Sequence, residues 1–148
     1  MEKIFVNWKE NMAFEANVNG FKLNLDATAE NGGSATGMTP KPLLLVALAG
    51  CTGMDIASLA KKMRVQLGSL TIEAQADKSE TMPIVYTAMR LIYHFEAQEL
   101  FRDKIVKMVV NSQQKYCGVA DMLRQCAPID YRIMLGGVDI TPQGEETL

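Results

Sequence analysis

Two cysteines, Cys51 and Cys117, sit in settings that suit thiol chemistry. Cys117 precedes Gly118 at the break between two expected helices, which puts it near a helix N-terminus. Unpaired N–H groups and the helix dipole stabilise an anion there, so its thiol pKa is expected to be lowered, and Lys115 adds positive charge. Cys51 lies in the middle of an apolar helix, where a free cysteine also serves as a small buried hydrophobe. Asp55 follows one helical turn later and, when close and ionised, disfavours a thiolate. Thr52 is expected to point elsewhere along the helix. Cys126 closes the next helix, where the dipole opposes an anion, and reads as inert packing.

Other chemistries find little support. The one histidine, His94, alternates with Tyr86 and Arg90 along a strand and reads as a surface or interface residue; nothing like a nucleophile elbow accompanies it. The cysteines lie 66 and 9 residues apart, without the short ligand spacings of structural zinc, so no metal is expected. Gly32-Gly33 and Gly136-Gly137 lack the spacing of a phosphate or dinucleotide loop, and no cofactor is expected. A net charge of -2, with no basic stripe among aromatics, gives no reason to expect a nucleic-acid partner. The apolar stretch from Pro42 to Gly50 is about half a membrane span and soon meets Asp55, so it reads as a buried helix and no membrane is expected. An odd cysteine count and no apolar leader point to a reducing compartment, the cytoplasm.

The elements that must position these thiols can be placed from their periods. At 148 residues the chain fits one α+β domain covering 1–148. Asn19-Gly20 signals a hairpin, with Phe14, Ala16 and Val18 before it and Phe21, Leu23, Leu25 and Ala27 alternating after it. Residues 30–37, rich in Asn, Gly and Ser, read as a mobile loop. A helix is expected from Thr39, with Thr39 as cap and Pro40 in the first position. It is apolar nearly all round from Leu43 to Ala60 and so needs cover on every side; Lys61-Lys62-Met63-Arg64 suits its last turn. Two strands follow, one around Leu70–Ala76 and one with Val85, Thr87, Met89, Leu91, Tyr93 and Phe95 on its more apolar face. A second helix is expected over 98–114 and a third over Val119–Cys126, stopping before Pro128. Ile129, Tyr131, Ile133 and Leu135 alternate as a final strand, and Glu145-Glu146 reads as a solvated tail.

The run Met38-Thr39-Pro40-Lys41-Pro42, continuing through Leu48-Ala49-Gly50-Cys51-Thr52-Gly53-Met54-Asp55, resembles the central-helix motif of the OsmC/Ohr family. Lys115-Tyr116-Cys117-Gly118-Val119 resembles that family's second-cysteine motif, and the order of elements matches over roughly residues 1–135. The likeness is to its OsmC-like branch. The resemblance implies an α+β fold with curved antiparallel sheets around long central helices in an intertwined homodimer, whose partner would cover the apolar helix. It implies reduction of small-molecule organic hydroperoxides, with Cys51 as the peroxidatic thiolate and Cys117 as the resolving thiol. A dithiol reductant, with a lipoyl group as one candidate, would reopen the resulting disulfide. The family's peroxidases also carry an arginine from the N-terminal strands and a glutamate near the start of the central helix. Here the first arginine is Arg64, and Lys41-Pro42 occupy the glutamate region. Lys22, Lys41 and Asp55 are therefore the candidate supporting charges, although a lysine lacks the rigid donor fork of arginine. The alternative expectation is a non-catalytic module binding a small hydrophobic ligand among Met12, Phe14 and Met54.

Overall fold

The computed structural model describes residues 1–143, and the expected tail at Glu145-Glu146 lies outside them. The chain divides into two compact units, one from Met1 to Leu44 and one from Leu45 onward.

In the first unit, β1 (Phe5–Glu10), β2 (Ala13–Val18) and β3 (Phe21–Leu25) form an antiparallel sheet in that order. The hairpin at Asn19-Gly20 forms as expected: φ is 53° and 83° at its two residues, and Val18 pairs with Phe21. Two positive φ values match the turn to the strand twist, which sets the register as far as Phe14 opposite Leu25.

The loop expected to be mobile is instead tied to one buried carboxylate. Asp26 Oδ2 accepts from the Ser34 N–H (3.1 Å), the Thr36 N–H (3.0 Å) and the Thr36 hydroxyl (2.8 Å). Its Oδ1 accepts from the Ala27 N–H at 2.8 Å. These donors, Thr36 foremost, hold the Asp26 carboxyl below the usual carboxylate range. Gly33 is demanded by closeness, since a Cβ there would stand 2.0 Å from the Ala27 carbonyl oxygen.

α1 (Pro42–Met63) starts in the first unit and continues through the second. It begins later than expected. Pro40 opens a tight turn, its carbonyl accepting from the Leu43 N–H at 3.1 Å, and Pro42 rather than Pro40 takes the first helical position. Lys61 and Lys62 fall in the last turn as expected. Leu48, Thr52, Ile56 and Ala60, each four residues on from the last, form the buried stripe. Cover on every side is not found within one chain: Val46 is 61% and Met54 76% exposed. By length and composition α1 is apolar enough to cross a membrane, with a mean hydropathy of 1.9.

In the second unit β4 (Leu67–Lys78), β5 (Tyr86–Ala97), β6 (Ile129–Leu135) and β7 (Val138–Asp139) form the other sheet in that order. This sheet is mixed, which corrects the expectation of wholly antiparallel sheets. β5 and β6 run parallel because the chain crosses between them through helices, the connection that parallel neighbours require. The stretch expected as one helix is three kinds in succession: a 3₁₀ turn at Glu99–Phe101, α2 (Arg102–Asn111) and a π-helical turn at Ser112–Tyr116. α3 (Gly118–Arg124) ends before Pro128. Met89, Leu91, Tyr93 and Phe95, on the expected face of β5, meet Leu48 and Ile56 of α1 and Ile105, Met108 and Val109 of α2 in the core. Burial of each large apolar side chain contributes about 1.5–3 kcal/mol, so this layer holds the thiol-bearing helices against the sheet.

Candidate active site

Cys51 and Asp55 are four apart on α1 and so leave the helix on one face. Cys117 arrives from the other side of the sequence. The π turn closes on it, its N–H donating to the Ser112 carbonyl five residues back at 2.9 Å. Cys117 then caps α3, its sulfur accepting from the Ala120 N–H at 3.3 Å. The result is one cluster. The Cys51 and Cys117 sulfurs and an Asp55 carboxylate oxygen all lie within 4.8 Å of one another. Both thiols are free; Cys117 is buried, while Cys51 and Asp55 are half-buried.

The cap position expected for Cys117 is present, but burial outweighs its effect on the thiol, and the lowered pKa expected there is not found. Burial pushes the Cys117 pKa up to about 11, the Ala120 N–H opposes this, and Cys51 and Asp55 reinforce it. One backbone donor is too little to offset the loss of water around the sulfur. The neighbouring Cys51 sulfur thus favours the protonated form of Cys117.

A pH dependence follows. Below about 11 the Cys117 thiolate fraction rises tenfold per pH unit. Attack by Cys117 on an oxidised Cys51 should therefore accelerate roughly 100-fold between pH 7 and pH 9. Quenched-flow alkylation after a peroxide pulse reads this rate, and a flat profile would refute it. The same raised pKa means that stability is fully present below the ordinary value of 9.0 and is lost as pH climbs towards 11.

Behind Asp55 runs a buried polar chain that spacing alone does not reveal. Ser112 Oγ donates to Asp55 Oδ2 at 2.9 Å. A serine hydroxyl has one hydrogen, so the 2.7 Å contact between Ser112 and Thr52 must have Thr52 as donor. By the same count Tyr93 donates across 2.8 Å to Thr52, and Gln113 Nε2 donates to the Tyr93 oxygen at 2.7 Å. Arg124 fixes the sense of the Gln113 amide by donating to its Oε1 at 3.2 Å. Every hydrogen in the series points towards Asp55. Burial pushes the Tyr93 phenol upward, which keeps it a donor. Thr52 thus points into the core, where its partners are Tyr93, Ser112 and Gln113 rather than the adjacent Cys51.

Neither Cys126 nor His94 belongs to that cluster. Cys126 is exposed in the turn after α3, not packed as expected. His94 is exposed and faces Glu73 at 3.5 Å. Lys22 belongs to the first unit, where it pairs with Glu15 at 3.3 Å, and Lys41 immediately precedes α1. Met12, Phe14 and Met54, the residues of the ligand-binding alternative, are all exposed. A cavity of about 300 Å³ opens beside Cys117, lined by Gln113, Lys115, Tyr116 and Asp121 among others. Another of about 200 Å³ opens beside Asp55, with Lys62 and Tyr116 in its wall. The sequence names Lys62 only as a last-turn charge and Tyr116 only as a member of the second-cysteine motif, and neither role signals a place in a cavity wall.

The OsmC-like protein family model matches residues 32–132, a span that holds both clustered thiols and Asp55. The chain belongs to the OsmC-like protein family. It is similar to Protein YhfA of Escherichia coli K12, with 25% identity over 127 residues, 85% of this chain and 92% of that one. It resembles an OsmC-like protein from Mycoplasma pneumoniae at a TM-score of 0.73 and 18% identity, covering 90% of this chain and 95% of that one. It also resembles the organic hydroperoxide resistance protein OhrB of Bacillus subtilis at a TM-score of 0.63 and 17% identity, covering 88% and 96%. These structural likenesses show the OsmC-like fold.

Proposed function

We propose that the chain reduces organic hydroperoxides, with Cys51 as the attacking thiolate and Cys117 as the resolving thiol. The observation that supports this most is a pair of free thiols, from distant parts of the chain, whose sulfurs lie within 4.8 Å of each other. The Cys51 sulfur attacks the peroxide oxygen, the O–O bond breaks, and the leaving alkoxide takes up one proton to become an alcohol. Cys51 is left as a sulfenic acid. Cys117 condenses with it, forming a disulfide and releasing water, and an external dithiol of lipoyl type reopens the bond by exchange. The hydroperoxide resistance of OhrB, which shares the fold, agrees with this chemistry. Lys22, 70% exposed and held by an exposed pair of under about 1 kcal/mol, and Lys41 are assigned the supporting charge.

One equivalent of cumene hydroperoxide should produce a Cys51–Cys117 disulfide and leave Cys126 free. Non-reducing peptide mapping reads the outcome; both thiols free, or pairing through Cys126, would overturn the mechanism.

The proposal includes a homodimer in a reducing cytoplasm. The exposed apolar sides of α1 support it, because a second copy can bury Val46 and Met54 that one chain leaves in water. Sedimentation equilibrium should return twice the 16.3 kDa chain mass, and Val46→Glu with Met54→Glu should halve it. A monomeric parent protein would end this part of the proposal.

A further inference from the structure

We propose that Cys51, Asp55 and Cys117 form a three-ligand site for a zinc-class divalent cation, with a fourth coordination position left open. Such a site goes beyond peroxide reduction and does not depend on it. Its ligand atoms are two sulfurs and a carboxylate oxygen, all within 4.8 Å of one another. Around tetrahedral zinc, with Zn–S of about 2.3 Å and Zn–O of about 2.0 Å, neighbouring ligand atoms stand about 3.5–3.8 Å apart. Each pair therefore needs to close by about 1.3 Å at most, within reach of small side-chain rotations.

The placement is that of a built site. Cys51 and Asp55 are one turn apart on a 22-residue helix, and Cys117 is fixed opposite them by the π turn and its cap. The ligands also have outer partners of the kind that orient metal sites. Ser112 donates to Asp55 at 2.9 Å and fixes the rotation of the carboxylate, while Ser112 is itself held by Thr52 at 2.7 Å. The Ala120 N–H donates to the Cys117 sulfur at 3.3 Å. Half-buried Cys51 and Asp55 leave an entry side, and Cys117 forms the floor.

Two thiolates select a soft or borderline ion over magnesium or calcium, and a mixed sulfur and oxygen set in tetrahedral spacing suits zinc. Binding would displace the thiol protons, and the divalent charge offsets the repulsion among the three anionic ligands that result. Occupation of the site and a Cys51–Cys117 disulfide exclude each other, since both use the same sulfur electron pairs.

Anaerobic titration of the reduced, metal-free full-length protein with cobalt(II) tests the site. One equivalent should bind, giving a thiolate-to-cobalt charge-transfer band that zinc(II) then displaces. Cys51→Ser and Cys117→Ser should each remove the band, and Ser112→Ala should weaken binding about tenfold. Cys126→Ser should leave it unchanged, and prior oxidation to the disulfide should abolish binding. Circular dichroism of the variants keeps a folding failure separate from a lost ligand. No charge-transfer band at millimolar cobalt, or a band that survives Cys51→Ser or vanishes with Cys126→Ser, would overturn the proposal. The titration involves no peroxide. Turnover without cobalt binding would sink the metal site alone, and cobalt binding without turnover would sink the peroxidase reading alone.

Discussion

Cys51→Ser is expected to lower steady-state peroxide turnover at least about 10³-fold, the scale on which loss of a covalent nucleophile is felt. A serine hydroxyl stays protonated at neutral pH and is a poor nucleophile towards peroxide oxygen, so no residual route through position 51 remains. Cys117→Ser should behave differently. Its first equivalent of peroxide is still consumed, because attack needs only Cys51, but the sulfenic acid then persists and can be trapped by dimedone. With a lipoyl-type dithiol as the sole reductant, turnover should fall at least about tenfold. The half-buried Cys51 is a poorer target for a bulky reductant than for the adjacent Cys117. Cys126→Ser, altering an exposed thiol, should stay within about twofold of the parent. A coupled assay of peroxide loss separates the three variants. Full turnover by Cys51→Ser, or a Cys117→Ser protein that consumes no first equivalent, would remove the assignment of roles.

How far the sequence reveals this arrangement depends on what each feature rests upon. The Asn19-Gly20 hairpin is legible because two residues tolerant of positive φ announce it locally, and the buried face of β5 is legible because strand side chains alternate. The Gly136-Gly137 turn, with φ of 55° and 80°, carries the same kind of signal and leads into β7, a strand too short to show any alternation. The parallel pairing of β5 with β6 is invisible locally, since it is decided by where a crossover of helices delivers the chain. The order in residues 30–37 is hidden for a related reason: its organiser, Asp26, lies outside the Asn, Gly and Ser run. For the site, the two cysteine motifs identify Cys51 and Cys117, yet neither motif contains Ser112, Gln113 or Tyr93. Those three meet at Thr52 only once α1, β5 and the π turn are packed together. The upward pKa of Cys117 is also a packing result, because the helix-end argument omits the burial that outweighs it.

Thr52→Val should be the most destabilising conservative change in the polar chain behind the thiols. Valine has nearly the shape of threonine, so the effect isolates one oxygen at a fully buried position. In the parent protein that oxygen accepts the Tyr93 hydrogen and donates its own to Ser112. Without it the Tyr93 hydroxyl keeps a hydrogen with no acceptor, while Gln113 still donates to the same oxygen from the other side. Turning the Gln113 amide round would offer an acceptor, but it would place an NH₂ against the Arg124 donor. Among the described residues no buried side-chain polar atom lacks a partner, so the chain has no slack to absorb the loss. A stranded buried donor costs about 1–3 kcal/mol, and a further contribution comes from the Ser112 oxygen that loses its donor. Tyr93→Phe should cost less, about 1 kcal/mol, since Thr52 still donates to Ser112 and Gln113 Nε2 already stands 3.4 Å from the Thr52 oxygen as a substitute donor. The double variant should cost less than the sum of the two, because valine and phenylalanine leave no orphaned hydroxyl between them. Urea unfolding at one fixed protein concentration, with an unchanged m-value, reads all three. If Tyr93→Phe proved the costlier substitution, the direction in which these hydrogens point would be the reverse of the one deduced from the donor count.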